Sequence, residues 1–171
     1  ESTSGLVGSE MCIRDRFWGL DAGLARQRHF PAINWLSSYS LYPQALDQWY
    51  RDNIATDFPE VRTEISTLLQ IEAELQEIVQ LVGSDALPID QQLTLEVARM
   101  IREFFLQQNA FHDVDTYSDL KLQYDMAKAI LNFQEEGKKA IAGGAQLEDV
   151  VNVPARTDLM RGRFEEGYDG R

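Results

Sequence analysis

The chain has a single cysteine, Cys12, so an internal disulfide is excluded and the cysteine count gives no sign of an oxidising compartment. With that one thiol and only two histidines, His29 and His112, no spacing of zinc ligands exists. Apolar residues make up 44% of the sequence, yet no run approaches the ~20 residues that span a bilayer. Positive charge is also scarce. A net charge of −12 argues against the basic face that phosphate backbones require and against docking on an anionic membrane. Acidity of this kind instead suits solubility and a partner with a basic surface. No Gly-x-x-x-x-Gly-Lys-Ser/Thr loop is present, so no backbone nest and lysine await the β and γ phosphates of a nucleotide. Gly19-Leu20-Asp21-Ala22-Gly23 lacks the lysine and the helix-opening hydroxyl. A Gly-x-Ser-x-Gly nucleophile elbow is missing too.

What remains is a soluble, mostly helical pattern. The first residues stand apart: Gly5-Leu6-Val7-Gly8-Ser9-Glu10-Met11-Cys12-Ile13-Arg14-Asp15-Arg16 resembles translated sequencing-adapter read-through. They lack the apolar stretch of ~7–15 residues that a secretory signal needs. Residues 1–16 are therefore expected to be non-native. Phe17-Trp18-Gly19-Leu20-Asp21 suits a strand entering a loop, and Leu24–Arg28 a turn or two of helix that ends before Pro31. Ile33 to Tyr42, rich in Ser, Tyr and Trp, is expected to be an irregular connection.

From Pro43 the periodicity is helical. Pro43 suits a first helical position, with Ala45, Leu46, Trp49 and Tyr50 on one face. Pro59 and Glu60 open a longer helix whose stripe is Val61, Ile65, Leu68, Leu69, Leu75, Ile78, Val79 and Val82, broken at Glu72. At ~1.5 Å per residue it runs ~35 Å. Gly83 is placed to stop it, and Asp90 to cap a following helix with Leu93, Val97, Met100, Ile101, Phe104 and Phe105 on one face. The two make an antiparallel αα-hairpin. After Gln107–Asp115, Ser118 or Asp119 opens a helix with Leu122, Met126, Ala129, Ile130 and Phe133 inward, ended by Gly143-Gly144. A last helical segment near Thr157–Phe164 follows Pro154. The expected fold class is mostly α: a helical bundle over residues 43–171, with a short non-helical remnant over 17–42.

Charge runs invite a functional reading and mostly fail it. Glu72, Glu74 and Glu77, and the pair Glu135-Glu136, lie on or near polar helix faces and are expected to be solvated. Arg99 and Arg102 are expected to form surface ion pairs, Arg26 and Arg28 to serve a helix end or an interface. Either histidine could titrate near neutrality, yet each sits beside a phenylalanine and is expected to pack or hydrogen-bond.

Two strings carry more information: His29-Phe30-Pro31-Ala32-Ile33-Asn34-Trp35 and, downstream, Gln107-Gln108-Asn109-Ala110-Phe111-His112-Asp113-Val114-Asp115. With the hairpin tip Gly83-Ser84-Asp85-Ala86-Leu87-Pro88-Ile89-Asp90 between them, they resemble the C-terminal third of the catalytic A subunit of V-type and A-type rotary ATPases. Phe30-Pro31-Ala32-Ile33-Asn34-Trp35 separates this family from F-type catalytic subunits, whose run looks like Tyr-Pro-Ala-Val-Asp-Pro. The same string disfavours the non-catalytic B subunit. The resemblance covers nearly everything from Phe17 to Gly162.

The resemblance implies specific roles. Phe30 and Phe111 would close over an adenine ring, with Gln108, Asn109 and Ala110 shaping the pocket. A stacked aromatic pair contributes ~0.5–1.5 kcal/mol beyond area burial. Asp85, Ala86, Leu87, Pro88, Ile89 and Asp90 would contact the central rotor, in the place of the acidic Asp-Glu-Leu-Ser-Glu-Glu-Asp loop of F-type subunits. Residues 17–42 would be the C-terminal edge of a nucleotide-binding domain. The parent subunit would bind ATP or ADP with Mg, work with B subunits of the catalytic hexamer and with central-stalk rotor subunits, and sit in the soluble, cytoplasmic ATPase head with no direct membrane insertion. It would couple ATP hydrolysis or synthesis to proton or sodium transport. No residue here is assigned a catalytic or metal-binding role, because the phosphate loop, magnesium ligands and water-orienting carboxylate would lie upstream. The alternative is a stand-alone acidic helical module that binds a partner helix and no nucleotide.

Overall fold

The computed structural model of the protein describes residues 16–162 and Phe164. The adapter-like stretch, Arg16 aside, lies outside the described residues. Strand β1, Arg16–Leu20, pairs antiparallel with β2, Ile33–Ser40, in the register Phe17↔Tyr39 and Leu20↔Ile33 with a bulge between Phe17 and Gly19. The expected irregular connection after Ile33 is thus a strand. Its polar residues are what make the bulged pairing possible. The Asn34 carboxamide oxygen accepts from the amides of Leu36 (2.9 Å) and Ser37 (3.0 Å), and the Ser38 hydroxyl accepts from Gly19 N at 3.0 Å. Phe17 and Tyr39 stack at 5.8 Å across the pair. Helix α1, Ala22–Arg26, is capped by Asp21, which accepts from Gly23 N at 2.7 Å and Leu24 N at 3.1 Å.

Helix α2, Pro43–Asn53, starts on its proline as expected. Helix α3, Phe58–Val82, buries Val61, Ile65, Leu68, Leu69 and Leu75 on the anticipated face, and Glu72 with them. Beyond Leu75 the stripe loses its cover, and Ile78 and Val82 are exposed. Gly83 ends the helix with φ +85°, a backbone geometry that L side chains rarely adopt. After a 3₁₀ turn at Ser84–Ala86, helix α4, Ile89–Met100, begins behind Pro88. Asp90 therefore lies inside the first turn and is not its cap. Its carboxylate there still faces the positive end of the helix dipole.

Helix α4 runs straight into a π-helical turn, Ile101–Leu106, which the periodicity alone reads as ordinary helix. Helix α5, Asp113–Thr116, is a single turn inside the expected loop. Helix α6, Leu120–Ala142, is capped by Asp119, which accepts from Leu122 N at 2.7 Å. Helix α7, Leu147–Val151, adds to the expected set, and helix α8, Pro154–Gly162, starts on Pro154 itself rather than at Thr157.

The core sits where α3, α4 and α6 meet: Leu93, Val97, Met100, Ile101 and Ile130 are completely enclosed. Each such side chain stabilises the fold by roughly 1.5–3 kcal/mol through burial. Gly137 lets α6 approach closely, since a Cβ there would lie 3.1 Å from Val150 Cγ1 and 3.2 Å from Leu93 Cδ2. On the flank, Phe58 stacks on Tyr50 at 4.5 Å and on Tyr124 at 6.2 Å. Asp57 accepts from Tyr124 Oη and Lys128 Nζ, each at 2.7 Å, tying the start of α3 to α6. The architecture is mostly α, with one small two-stranded sheet among the described residues.

Candidate functional site

The two aromatic strings meet in space. The amide of Gln108 donates to the carbonyl oxygen of Phe30 at 2.6 Å, a main-chain contact across the sequence gap. Behind it, the His29 ring sits between two carbonyls, with Nε2 3.1 Å from Arg102 O and Nδ1 3.2 Å from Pro31 O. The same ring lies 5.8 Å from that of Trp35. The Phe30–Pro31 peptide is cis. His29 is thus the hydrogen-bonding residue its sequence context suggested.

The downstream loop is organised by Asn109 and Asp115. Asp115 is buried and accepts from Asn109 N at 2.5 Å, while its own carbonyl accepts from Gln108 Nε2 at 3.1 Å. Asn109 in turn accepts from Phe111 N through its side chain (3.1 Å) and from the Thr116 hydroxyl through its carbonyl (3.1 Å). A short asparagine-aspartate network of this kind fixes a loop without apolar burial. The result leaves Phe111 98% exposed and Phe30 52% exposed. Beneath the loop lies a cavity of about 270 Å³ lined by Phe104, Phe105, Gln108, Asp115, Gln123 and Met126, among others. Of the five residues expected to form an adenine wall, only Gln108 lines it; Phe30, Asn109, Ala110 and Phe111 lie outside it.

Arg102 and Glu72 correct the sequence reading. Both were expected at the surface, but Arg102 Nη2 meets Glu72 Oε1 at 2.9 Å, and the Glu72 side chain is 7% exposed. The stripe break at Glu72 is a buried carboxylate whose partner sits on a different helix. Burial pushes the Glu72 carboxyl above its ordinary pKa, while the Arg102 charge and a hydrogen bond from Gln76 oppose that shift. Arg102 Nε is buried with no hydrogen-bond partner among the described residues. Arg99 behaves as expected, pairing with Glu103 at 2.9 Å in solvent. Glu136, also solvated as expected, pairs with Lys139 at 2.7 Å.

The hairpin tip departs from expectation in one residue. Asp85, Ala86, Pro88 and Asp90 are exposed and Ile89 is half-buried, but Leu87 turns inward and is only 7% exposed. Its carbonyl accepts from Gln92 Nε2 at 2.8 Å. The apolar surface at this end comes from the last turns of α3, where Leu81 is 85% exposed, with Val82 and Ile78 beside it. Sequence reasoning missed Leu81 because it falls off the stripe. A larger hollow, about 640 Å³, lies between α6, α7 and α8 and takes no residue from either region. No helix among the described residues is long and apolar enough to cross a membrane.

Known proteins share this sequence over most of its length. Residues 47–151 match the family described as the C-terminal domain of V and A type ATP synthase. The A subunit of the A-type ATP synthase of Natronomonas pharaonis is 56% identical over 153 residues, covering 90% of this chain and 26% of that protein. Its counterpart in Methanosarcina acetivorans, also from an A-type ATP synthase, is 50% identical over 154 residues, 90% of this chain and 27% of that one. The V-type ATP synthase alpha chain 1 of Clostridium tetani is 52% identical over 153 residues, again 90% and 26%. The chain thus spans about a quarter of the length of these relatives.

Proposed function

The chain belongs to the family of V and A type ATP synthase C-terminal domains, and on that footing we propose that it is the rotor-facing part of a catalytic A subunit. In this reading residues 17–42 are the edge of a nucleotide-binding domain and residues 43–171 the helical domain that moves with nucleotide occupancy. The whole subunit binds ATP or ADP with Mg, couples its hydrolysis or synthesis to proton or sodium transport, and works between B subunits and the central stalk in the soluble, cytoplasmic head. Phosphoryl transfer is mostly positioning and electrostatic stabilisation around a phosphate loop. This chain has no such loop and does not cleave ATP alone.

The observation that carries the adenine-wall reading is the bond from Gln108 N to Phe30 O at 2.6 Å, which joins two loops, one presenting the half-exposed ring of Phe30 and the other the almost fully exposed ring of Phe111. An uncovered flat ring is what a purine base stacks upon. Adding ADP to the isotope-labelled chain should shift the resonances of Phe30, Gln108, Asn109, Ala110 and Phe111 together. Shifts scattered over α6 to α8, or none at these residues, would remove adenine from the proposal.

The rotor contact rests on the exposed tip. Asp85, Ala86, Pro88, Ile89 and Asp90 form it together with Leu81 and Val82, while Leu87 serves as its internal prop. An exposed apolar group of this kind is unusual unless a partner covers it. Capture of central-stalk subunits by the chain, lost on L81D/V82D, is the expected outcome. Equal capture by both forms would move the contact elsewhere. The alternative of a stand-alone helical module explains the bundle but leaves the open apolar face of the β1–β2 hairpin without a purpose.

A further inference from the structure

The Glu72–Arg102–His29 connection, buried at Glu72 and half-buried at Arg102 and His29, runs from the tip-bearing hairpin to the aromatic loops. Glu72 sits on α3, Arg102 just past the end of α4, and His29 beside Phe30. The π-helical turn makes this junction possible. By shifting the helical bonding one residue, it lets Gln107 N donate to Arg102 O at 3.0 Å. The same oxygen lies 3.1 Å from His29 Nε2. The next amide along, Gln108 N, then reaches Phe30 O.

We propose that Arg102 is the positioning residue of this site: its guanidinium, held by Glu72, fixes where its carbonyl stands, and that carbonyl sets the place of the His29–Phe30 loop against the Gln108–Phe111 loop. The proposal rests on the adenine-wall reading for its functional meaning, though not for its geometry. Two features distinguish Arg102 from a helix-surface cation. Its partner carboxylate is almost wholly enclosed, whereas the neighbouring Arg99–Glu103 pair is open to water. Its Nε is buried without a partner among the described residues, a costly arrangement in a native interior and one that calls for an explanation beyond stability. Because Glu72 and Arg102 belong to the two arms of one hairpin, any relative shift of α3 and α4 acts on the Arg102 carbonyl before it reaches Phe30.

The test uses this chain with Glu72→Gln, Arg102→Met and their combination, and Arg102→Lys as a variant that keeps the charge beside Glu72. Amide exchange is followed at Gln108, the reporter of the loop junction, and at Ile130 in α6, the reporter of the core. Each single change should speed Gln108 exchange by about tenfold while Ile130 stays protected, and the double variant should add little further because the residues act as one unit. Arg102→Lys should fall between wild type and Arg102→Met. Equal acceleration at Gln108 and Ile130, or none at Gln108, would overturn the proposal in favour of a plain brace. ADP titration runs alongside as a separate arm. Selective release of Gln108 with no ADP-induced shifts in the unsubstituted chain would uphold Arg102 as positioning residue and sink the adenine reading alone.

Discussion

The helical bundle and the N-terminal hairpin are built from similarly apolar sequence and end in opposite states. In α3, α4 and α6 the large side chains close on one another, and Leu93, Val97 and Ile130 see no solvent. Neither β1, α1, β2 nor α2 buries a single residue, and Trp18 and Leu20 are 71% and 85% exposed. An apolar stripe at helical spacing finds its partner within the same chain. The hairpin instead displays apolar surface that these residues do not cover. Content alone does not make a core; complementary faces do.

The strongest way to break this contrast is to cut into each region. Leu93→Ala should cost about 2–5 kcal/mol in urea unfolding, because the enclosed site can relax only partly around the lost atoms. Trp18→Ala should stay within about 0.5 kcal/mol in the same measurement. Comparable losses would mean that the hairpin shares the core's cooperativity. Next in size, Gly137→Val should destabilise by about 1–3 kcal/mol, since the new side chain has no room between Leu93 and Val150.

Titration sharpens the contrast at the flank of the bundle. Burial, helped by the hydrogen bond to Asp57, pushes the Tyr124 phenol from 10.0 up to about 12. The folded state therefore keeps the proton to higher pH. Stability from this group is complete below pH 10 and is lost as pH rises from there towards 12. Tyr124→Phe should flatten that alkaline slope in thermal unfolding. Asp57 runs the other way: hydrogen bonds from Lys128 and Tyr124 hold its carboxyl below the ordinary 3.8. Its contribution is present above that value and fades as pH falls through the folded pKa, so Asp57→Asn should remove part of the acid slope. The smallest expected effect is that of L81D/V82D, within about 0.5 kcal/mol by denaturation, because both side chains are largely exposed.

How much of this could be read in advance divides along the same line. The inward faces of α3, α4 and α6, the cap at Asp119 and the stop at Gly83 follow from local chemistry and were legible. Strand β2 was not, because a Ser-rich segment pairs only when a partner strand arrives from elsewhere in the chain. Helix α7 is too short for periodicity to register. Within the candidate site, the aromatic strings were legible as motifs, but their junction through Gln108 and Phe30 depends on a π-helical turn that no pattern announces. Glu72 looked like a flaw in a stripe because its partner, Arg102, lies on another element. Leu87 looked exposed because a turn tip usually is, yet its side chain is buried.

The bulge between Phe17 and Gly19 has one more consequence, for how copies of this chain behave towards each other. A two-stranded sheet offers an open edge on either side, and such edges recruit further strands into aggregates. Here Asn34 ties up the amides of Leu36 and Ser37, and Ser38 takes that of Gly19, so the middle of the hairpin presents few free donors to a neighbour. With an overall charge of −12 adding repulsion at a distance, the polar residues that hid the strand from sequence reading also work against edge-to-edge pairing between copies.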